Sequence, residues 1–430
     1  MAGIYVHIPF CKSRCAYCDF YSTTRAELVE AYVVALCNEI ALRRNEQLSE
    51  GIASEVAIQT VYFGGGTPST LKRSQLSIIL NCIYENYHVE PDAEVTLEMN
   101  PGDLDSLLSP SFFEGKTVSS NQASEEIWLR YVNRVSLGIQ TFNDELLKLI
   151  RRRHDSSTAL RTVEQLQAAG VDNISIDLIY GLPGQTIEQW QHDLKVAFSL
   201  GIQHLSAYAL SYEPGTLLSR WRDEERVHEA DEELSVAMYS ELCCRAREEG
   251  FEHYEISNFA LPGYHSRHNS SYWQGTPYLG FGPSAHSYDG LRTRRANNPS
   301  LDEYIQYYSP LMHPSANDML ANAPKGSTFN SQPLRNSPFN LESLTDSELF
   351  DEAVMCGLRT SQGIDLAMIE HRFGHGRLNS LLQAAGPHLA ASRLILDHAS
   401  SVQLSSSATH LRLAESAIMI SDDIMSDLMS

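Results

Sequence analysis

Positive charge is scarce in this chain of 430 residues: 32 lysines and arginines stand against 54 aspartates and glutamates, a formal charge of −22. A broad electrostatic surface for a phosphate backbone is therefore excluded, and nucleic acid with it as a main partner. Long apolar runs are missing as well, so no segment reads as a membrane span. No block of sequence recurs at a solenoid period. The eight cysteines lack the spacing of a secreted disulfide framework. Five of them, Cys37, Cys82, Cys243, Cys244 and Cys356, are scattered through helical or apolar surroundings. The opening Met-Ala-Gly-Ile-Tyr-Val-His-Ile reads as a strand within four residues of the start. That leaves no room for a signal or transit peptide, and a reduced, cytoplasmic location is expected, with peripheral attachment to a membrane left open.

What is present is ordinary globular material, 43% hydrophobic and 20% charged, in a length that suits one large and one small domain. The exception is a cluster of three cysteines in the run Cys11-Lys-Ser-Arg-Cys15-Ala-Tyr-Cys18. Three thiolates are one too few for a closed metal site. A cubic four-iron cluster takes one thiolate per iron, so a trio implies a fourth iron open to another ligand. Zinc is the rival, with His7 available as a fourth tetrahedral ligand.

Short apolar runs alternate with helical periodicity over the first two hundred residues. Strands are expected at 4–8, 60–63, 94–98, 134–139, 174–179 and 204–210. Helices are expected at 26–44, 73–84, 143–150, 157–169, 187–199 and 231–249, the first opening on a capping-box spacing of Thr24 and Glu27. Six strand–helix units predict an α/β fold with a parallel sheet, an incomplete (β/α)6 barrel open on one side, since no further units are found after Leu210. A serine-rich loop enlargement is expected at 102–124 and a low-complexity stretch at 314–338. The domains then read as a partial barrel over 1–300, a flexible Ser/Asn/Pro-rich connection over 301–343, and a smaller, mainly helical domain over 344–430. Helices at 346–360 and 366–373 and a short hairpin near 395–404 and 410–413 are expected in the last.

Barrels place functional groups at the carboxyl ends of their strands. Here the first strand runs into the cysteine loop and the second ends in Gly64-Gly65-Gly66-Thr67-Pro68, whose amides could hold a carboxylate. Glu98 ends the third strand, Gln140 the fourth, and Asp177 lies on the fifth. Glu98 could accept from an ammonium, Arg152 could pair with a carboxylate, and Asp177 could take the two hydroxyls of a ribose. S-adenosylmethionine carries all three groups.

The spacing CxxxCxxC with aromatic Tyr17 before its last cysteine resembles the signature of the radical S-adenosylmethionine (radical SAM) superfamily. Within it, Tyr5-Val-His-Ile-Pro-Phe-Cys11, Gly64-Gly-Gly-Thr-Pro68, Ser136-Leu-Gly-Ile-Gln140 and Asp177-Leu-Ile-Tyr-Gly-Leu-Pro183 are similar to the HemN/HemW group. The likeness runs from Tyr5 to about Tyr288 and resumes over 358–373. It implies a 4Fe-4S cluster on Cys11, Cys15 and Cys18, and S-adenosylmethionine held by Tyr5, Gly65, Gly66, Thr67, Glu98, Gln140, Arg152 and Asp177. It also implies that reduction of that cofactor could generate a deoxyadenosyl radical.

Two branches of the group make different demands. The oxygen-independent coproporphyrinogen III dehydrogenases carry a further cysteine two residues beyond the trio, where this chain has Phe20, and an N-terminal arm, where this chain has four residues before Tyr5. The run His268-Asn-Ser-Ser-Tyr272-Trp273 resembles the HNxxYW sequence of the haem-chaperone branch. The resemblance thus implies a haem chaperone, with haem as cargo and haem-accepting respiratory proteins, some membrane-associated, as partners. His268 is the leading candidate iron ligand, and His265, His286 and His253 are candidate second ligands. Coproporphyrinogen III dehydrogenation is the alternative.

Overall fold

A computed structural model describes residues 1–49, 51–107, 128–309, 337–398 and 408–429. Its six expected parallel strands are β1 (Ala2–Ile8), β2 (Ile58–Gly65), β3 (Val89–Met99), β4 (Arg134–Gln140), β5 (Ile174–Tyr180) and β6 (His204–Ala209). Each pairs in parallel with the next in chain order. Every residue of β4 is buried, which is why it reads as a continuous run rather than an alternation. The intervening helices begin where the sequence offers a cap. Asn143, Asp155, Thr186 and Asp231 each accept amide hydrogen bonds at the start of the helix that follows.

The expected capping box of Thr24 and Glu27 does not form. The chain enters Val29–Leu42 through a 3-10 turn at Ala26–Leu28 that has no side-chain cap, and the amide of Arg25 bonds the Thr23 hydroxyl instead.

The sheet also extends beyond the six units on both sides. Strand Tyr278–Phe281 lies parallel to β1 on the side away from β2, continued by the antiparallel strands His286–Tyr288, Thr293–Asn297 and Phe339–Ser343. At the other edge Asn258–Ala260 pairs antiparallel with β6, and Glu252–Glu255 completes the order of twelve. Gly280 shows how tightly the first extension is packed: a Cβ there would lie 1.9 Å from the carbonyl oxygen of His286.

A buried ionic network ties this extension to the first helix. Glu39, fully buried, accepts from Arg43 (3.0 Å), Asn297 (2.9 Å), Tyr304 (2.6 Å) and the amide of Gly282 (2.9 Å). Arg43 and Arg295 both hold Glu46 as well. Tyr304 belongs to helix Leu301–Tyr308, which packs into the main core, so the segment expected as a connection from 301 begins as a helix and ends as strand Phe339–Ser343. Its middle, and most of the expected 102–124 enlargement, lie outside the described residues.

Helices Asp346–Leu358, Leu366–Phe373, His375–Ala390 and Ser421–Leu428 enclose a second core around Val354, Ile369, Leu381 and Leu411. A small sheet of Ile364–Asp365, Ala408–Leu413 and Leu394–His398 completes it. This helical unit meets the barrel through the Glu255–Thr360 bridge and the Arg294–Glu352 ion pair (2.9 Å).

Candidate functional site

The carboxyl ends of β1 to β6 surround a cavity of about 450 Å3 lined by Cys11, Cys15, Cys18, Gly65, Gly66, Thr67, Glu98, Gln140, Arg152 and Asp177. Ten of the sequence-predicted site residues are thus brought together from distant parts of the chain. Backbone pairing holds the cysteine loop over this end: Cys11 N donates to Thr23 O (2.9 Å), Thr23 N donates to Pro9 O (2.7 Å), and Ala16 N donates to Ile150 O (3.0 Å).

The thiols are not bare. Cys11 Sγ lies 3.4 Å from the Thr67 hydroxyl, and Arg152 donates to Cys15 Sγ at 3.4 Å. Burial pushes the Cys18 thiol up to about 11 and raises Cys11 as well, a cost that a bound cation would remove. Among the described residues, no three Cys, His, Asp or Glu side chains gather closely enough for a single metal ion. Three thiols lining one cavity are what a multi-iron cluster with one iron per thiolate would need. Zinc also loses its fourth ligand. His7 is buried with Nε2 on the Tyr21 carbonyl (2.9 Å) and Nδ1 beside the Tyr5 hydroxyl (3.2 Å), and it does not line the cavity.

Beside the cysteine loop, the glycine turn is shaped for close approach. Gly65 adopts φ +102°, and a Cβ on Gly66 would sit 2.8 Å from the Ile8 carbonyl. Gln140 is held at φ +75° beyond an irregularity in the β4–β5 register, a left-handed conformation uncommon for a residue with a side chain. Arg152 crosses the floor of the cavity, donating to Asn100 Oδ1 (2.5 Å) and to the Gly138 carbonyl. Its Nε is buried without an acceptor among the described residues, so the guanidinium retains a donor beside the cavity. Ser136 donates to Asp177 at 3.2 Å. Burial raises the carboxyls of Asp177 and Glu98, and Glu98 reaches about 7 despite a bond from the Tyr62 hydroxyl (2.7 Å). A cation in the cavity would favour the ionised form of both. The donor set therefore fits a 4Fe-4S cluster and a zwitterionic nucleoside.

Sequence reasoning left Asn100 and Ser136 out of the site. Both lie at strand ends already singled out, and their role of holding Arg152, Thr67 and Asp177 appears only when the strands are aligned. Tyr5, expected in the cofactor pocket, lies below it on β1, stacked against Tyr62 (6.2 Å) and His268 (6.5 Å).

The expected iron ligand His268 is buried and hydrogen-bonded. Helix Arg267–Trp273, capped by Ser266, turns it inward until only 1% of it is exposed. Its Nδ1 bonds the Thr60 hydroxyl (2.8 Å) and its Nε2 the Tyr272 hydroxyl (2.9 Å), while burial lowers its pKa to about 3. A neutral imidazole has one donor and one acceptor, and here both nitrogens have hydroxyl partners. Among the candidate second ligands, His253 stacks on Phe259 with Nε2 on the Ile256 carbonyl, and His286 sits exposed on the sheet extension. His265 lies on Tyr254 with Nε2 paired to Glu252.

The family model described as "Radical SAM superfamily" matches residues 5–197. The chain is 32% identical to "Heme chaperone HemW" of Bacillus subtilis, an alignment covering 94% of this chain and 95% of the relative. It is 33% identical to the protein of the same name from Lactococcus lactis, covering 86% and 84%. A bovine relative, "Radical S-adenosyl methionine domain-containing protein 1, mitochondrial", is 32% identical over 84% of this chain and 74% of its own. In structure the chain is similar to coproporphyrinogen III oxidase (HemN) from Escherichia coli, with a TM-score of 0.73 covering 100% of this chain and 90% of that one at 20% identity, a likeness of fold.

Proposed function

The chain belongs to the HemW family of the radical SAM superfamily, and from that membership we propose that it binds haem and delivers it to haem-requiring respiratory proteins. The observation that carries the reading is a likeness to haem chaperones along almost the whole chain, second core included. Phe20 supports it. It stands at the cavity rim, 63% exposed, where a coproporphyrinogen dehydrogenase would carry another cysteine. Delivery to a membrane protein would be peripheral, since no helix among the described residues is long and apolar enough to cross a bilayer. Haem-loaded protein mixed with a haem-free respiratory cytochrome should lose its haem to the acceptor, followed by the acceptor's absorption. Haem retained by the donor would contradict delivery.

In this reading Cys11, Cys15 and Cys18 hold a 4Fe-4S cluster, and Gly65, Gly66, Thr67, Glu98, Gln140, Arg152 and Asp177 hold S-adenosylmethionine. When bound, the pair supplies one-electron chemistry. Glu98 would receive the ammonium of the methionine end, Arg152 its carboxylate, and Asp177 the ribose hydroxyls.

This assignment gives a pH dependence with a definite sign. Burial holds the Glu98 carboxyl near 7 in the empty cavity, so at pH 6 most molecules carry it neutral and must lose a proton before pairing with an ammonium. Affinity for S-adenosylmethionine should therefore rise with pH through 7, by up to about tenfold per unit on the acid side, and level off above pH 8. Calorimetry on wild type and Glu98→Gln checks it: the variant should bind weakly with a flat profile. An equal slope in both would remove Glu98 from the contact.

A further inference from the structure

A second cavity, of about 810 Å3, lies where helix Arg267–Trp273 and the sheet extension meet helix Asp346–Leu358 of the helical unit. It is lined by Tyr272 and Trp273 of the HNxxYW run, although His268 of the same run points away into the barrel. Its volume exceeds that of the cofactor cavity, and it is walled by both structural units.

The chemistry of this wall is specific. Tyr272, Trp273 and Tyr278 put aromatic surface on it: Tyr272 meets Tyr278 edge to face at 4.7 Å, and Arg359 covers one face of Trp273 at 5.1 Å. Two arginines line the cavity, Arg294 and Arg372. Arg294 is paired with Glu352, yet its Nε and the indole N–H of Trp273 are enclosed with no acceptor among the described residues. Arg372 donates to the Tyr288 hydroxyl and is otherwise turned outward. Guanidinium groups on a wall are suited to carboxylates.

His265 completes the set. Its ring lies flat on Tyr254, 4.2 Å away, and its Nε2 is 2.7 Å from a Glu252 oxygen. Nε2 is thereby occupied, and Nδ1 is the ring nitrogen left to meet a ligand. A carboxylate behind one ring nitrogen is the arrangement that orients metal-binding histidines and raises their basicity.

A flat, apolar macrocycle with two carboxylates and a metal seeking a nitrogen matches every one of these groups. We propose that haem docks in this cavity, with His265 Nδ1 on the iron, Arg294 and Arg372 at the propionates, and Tyr272 and Trp273 against the macrocycle. His268 is then a positioning residue, holding Tyr272 from behind. This rests on the chaperone reading above and locates its cargo.

The test titrates full-length, cluster-reconstituted protein with hemin and follows the Soret band. Ala353→Trp, which fills the cavity from its wall, should weaken binding at least about tenfold. Arg372→Glu changes an exposed side chain without filling the cavity, and should weaken binding by about tenfold whether or not the filled variant folds. His265→Ala should change the spectrum from that of nitrogen-ligated iron, whereas His268→Ala should lower affinity and leave the spectrum as in wild type. Wild type that takes up no haem would sink the chaperone reading itself. Wild type that binds, alongside cavity variants that bind equally well, overturns the cavity assignment alone. So does a spectrum altered by His268→Ala and not by His265→Ala.

Discussion

Replacing Cys15 with alanine should leave anaerobically reconstituted protein with iron and acid-labile sulfide near background. The expectation follows from counting. A four-iron cluster on three thiolates already has one iron without a protein ligand, and two thiolates leave half of it unsupported. Cys15 is also the thiol that Arg152 reaches, at 3.4 Å, so its loss removes the cluster's link to the floor of the cofactor cavity. Cys37→Ala is the control. Cys37 lies between the first two helices, where Cys82 donates to its carbonyl at 3.4 Å, and iron content should not change. Zinc retained by Cys15→Ala in place of iron would contradict the cluster assignment. Absorption in the visible range and iron and sulfide determinations decide it.

The second large effect concerns stability. Glu39→Ala should cost about 3–5 kcal/mol, because it removes one buried acceptor shared by Arg43, Asn297, Tyr304 and the Gly282 amide, although Arg43 keeps Glu46. Glu39→Gln should cost less, since an amide oxygen still accepts while the charge is lost. The same network connects helix Val29–Leu42, the strand beside β1 and helix Leu301–Tyr308, so it fixes the edge of the sheet on which His286 and Arg294 are carried. Denaturant unfolding measures it. A loss below about 1 kcal/mol would show that the network is dispensable.

How much of this could be read from the chain depends on what each signal measures. The six parallel strands were legible because they are buried on both faces and therefore appear as unbroken apolar runs, β4 above all. Strand Tyr278–Phe281 was not. It has four residues, one a glycine, and is recognisable only from its register beside β1. The site residues at strand ends were legible as a set, since a barrel brings such positions to one face. Glu98's displaced pKa was not, because it is set by burial that no local pattern encodes. His268 is the instructive case. The motif marks it, but the motif does not say which way the helix turns. Tyr272 lies four residues on, one helical turn, so a bond between the two side chains was foreseeable. That bond satisfies the histidine and leaves the aromatic residues to face the second cavity.

The same arrangement links the two cavities. Glu98 accepts from Tyr62, Tyr62 stacks on His268 at 4.9 Å, and His268 bonds Tyr272 on the wall of the second cavity. Hydrogen bonds and ring contacts thus run without a break through the barrel interior.

One measurement bears most directly on the account: cluster-reconstituted, full-length protein supplied under anaerobic conditions with S-adenosylmethionine and a reductant, then given hemin in one sample and coproporphyrinogen III in another. The account predicts saturable haem binding in the first and no protoporphyrinogen in the second. Robust protoporphyrinogen formation without haem binding would contradict it.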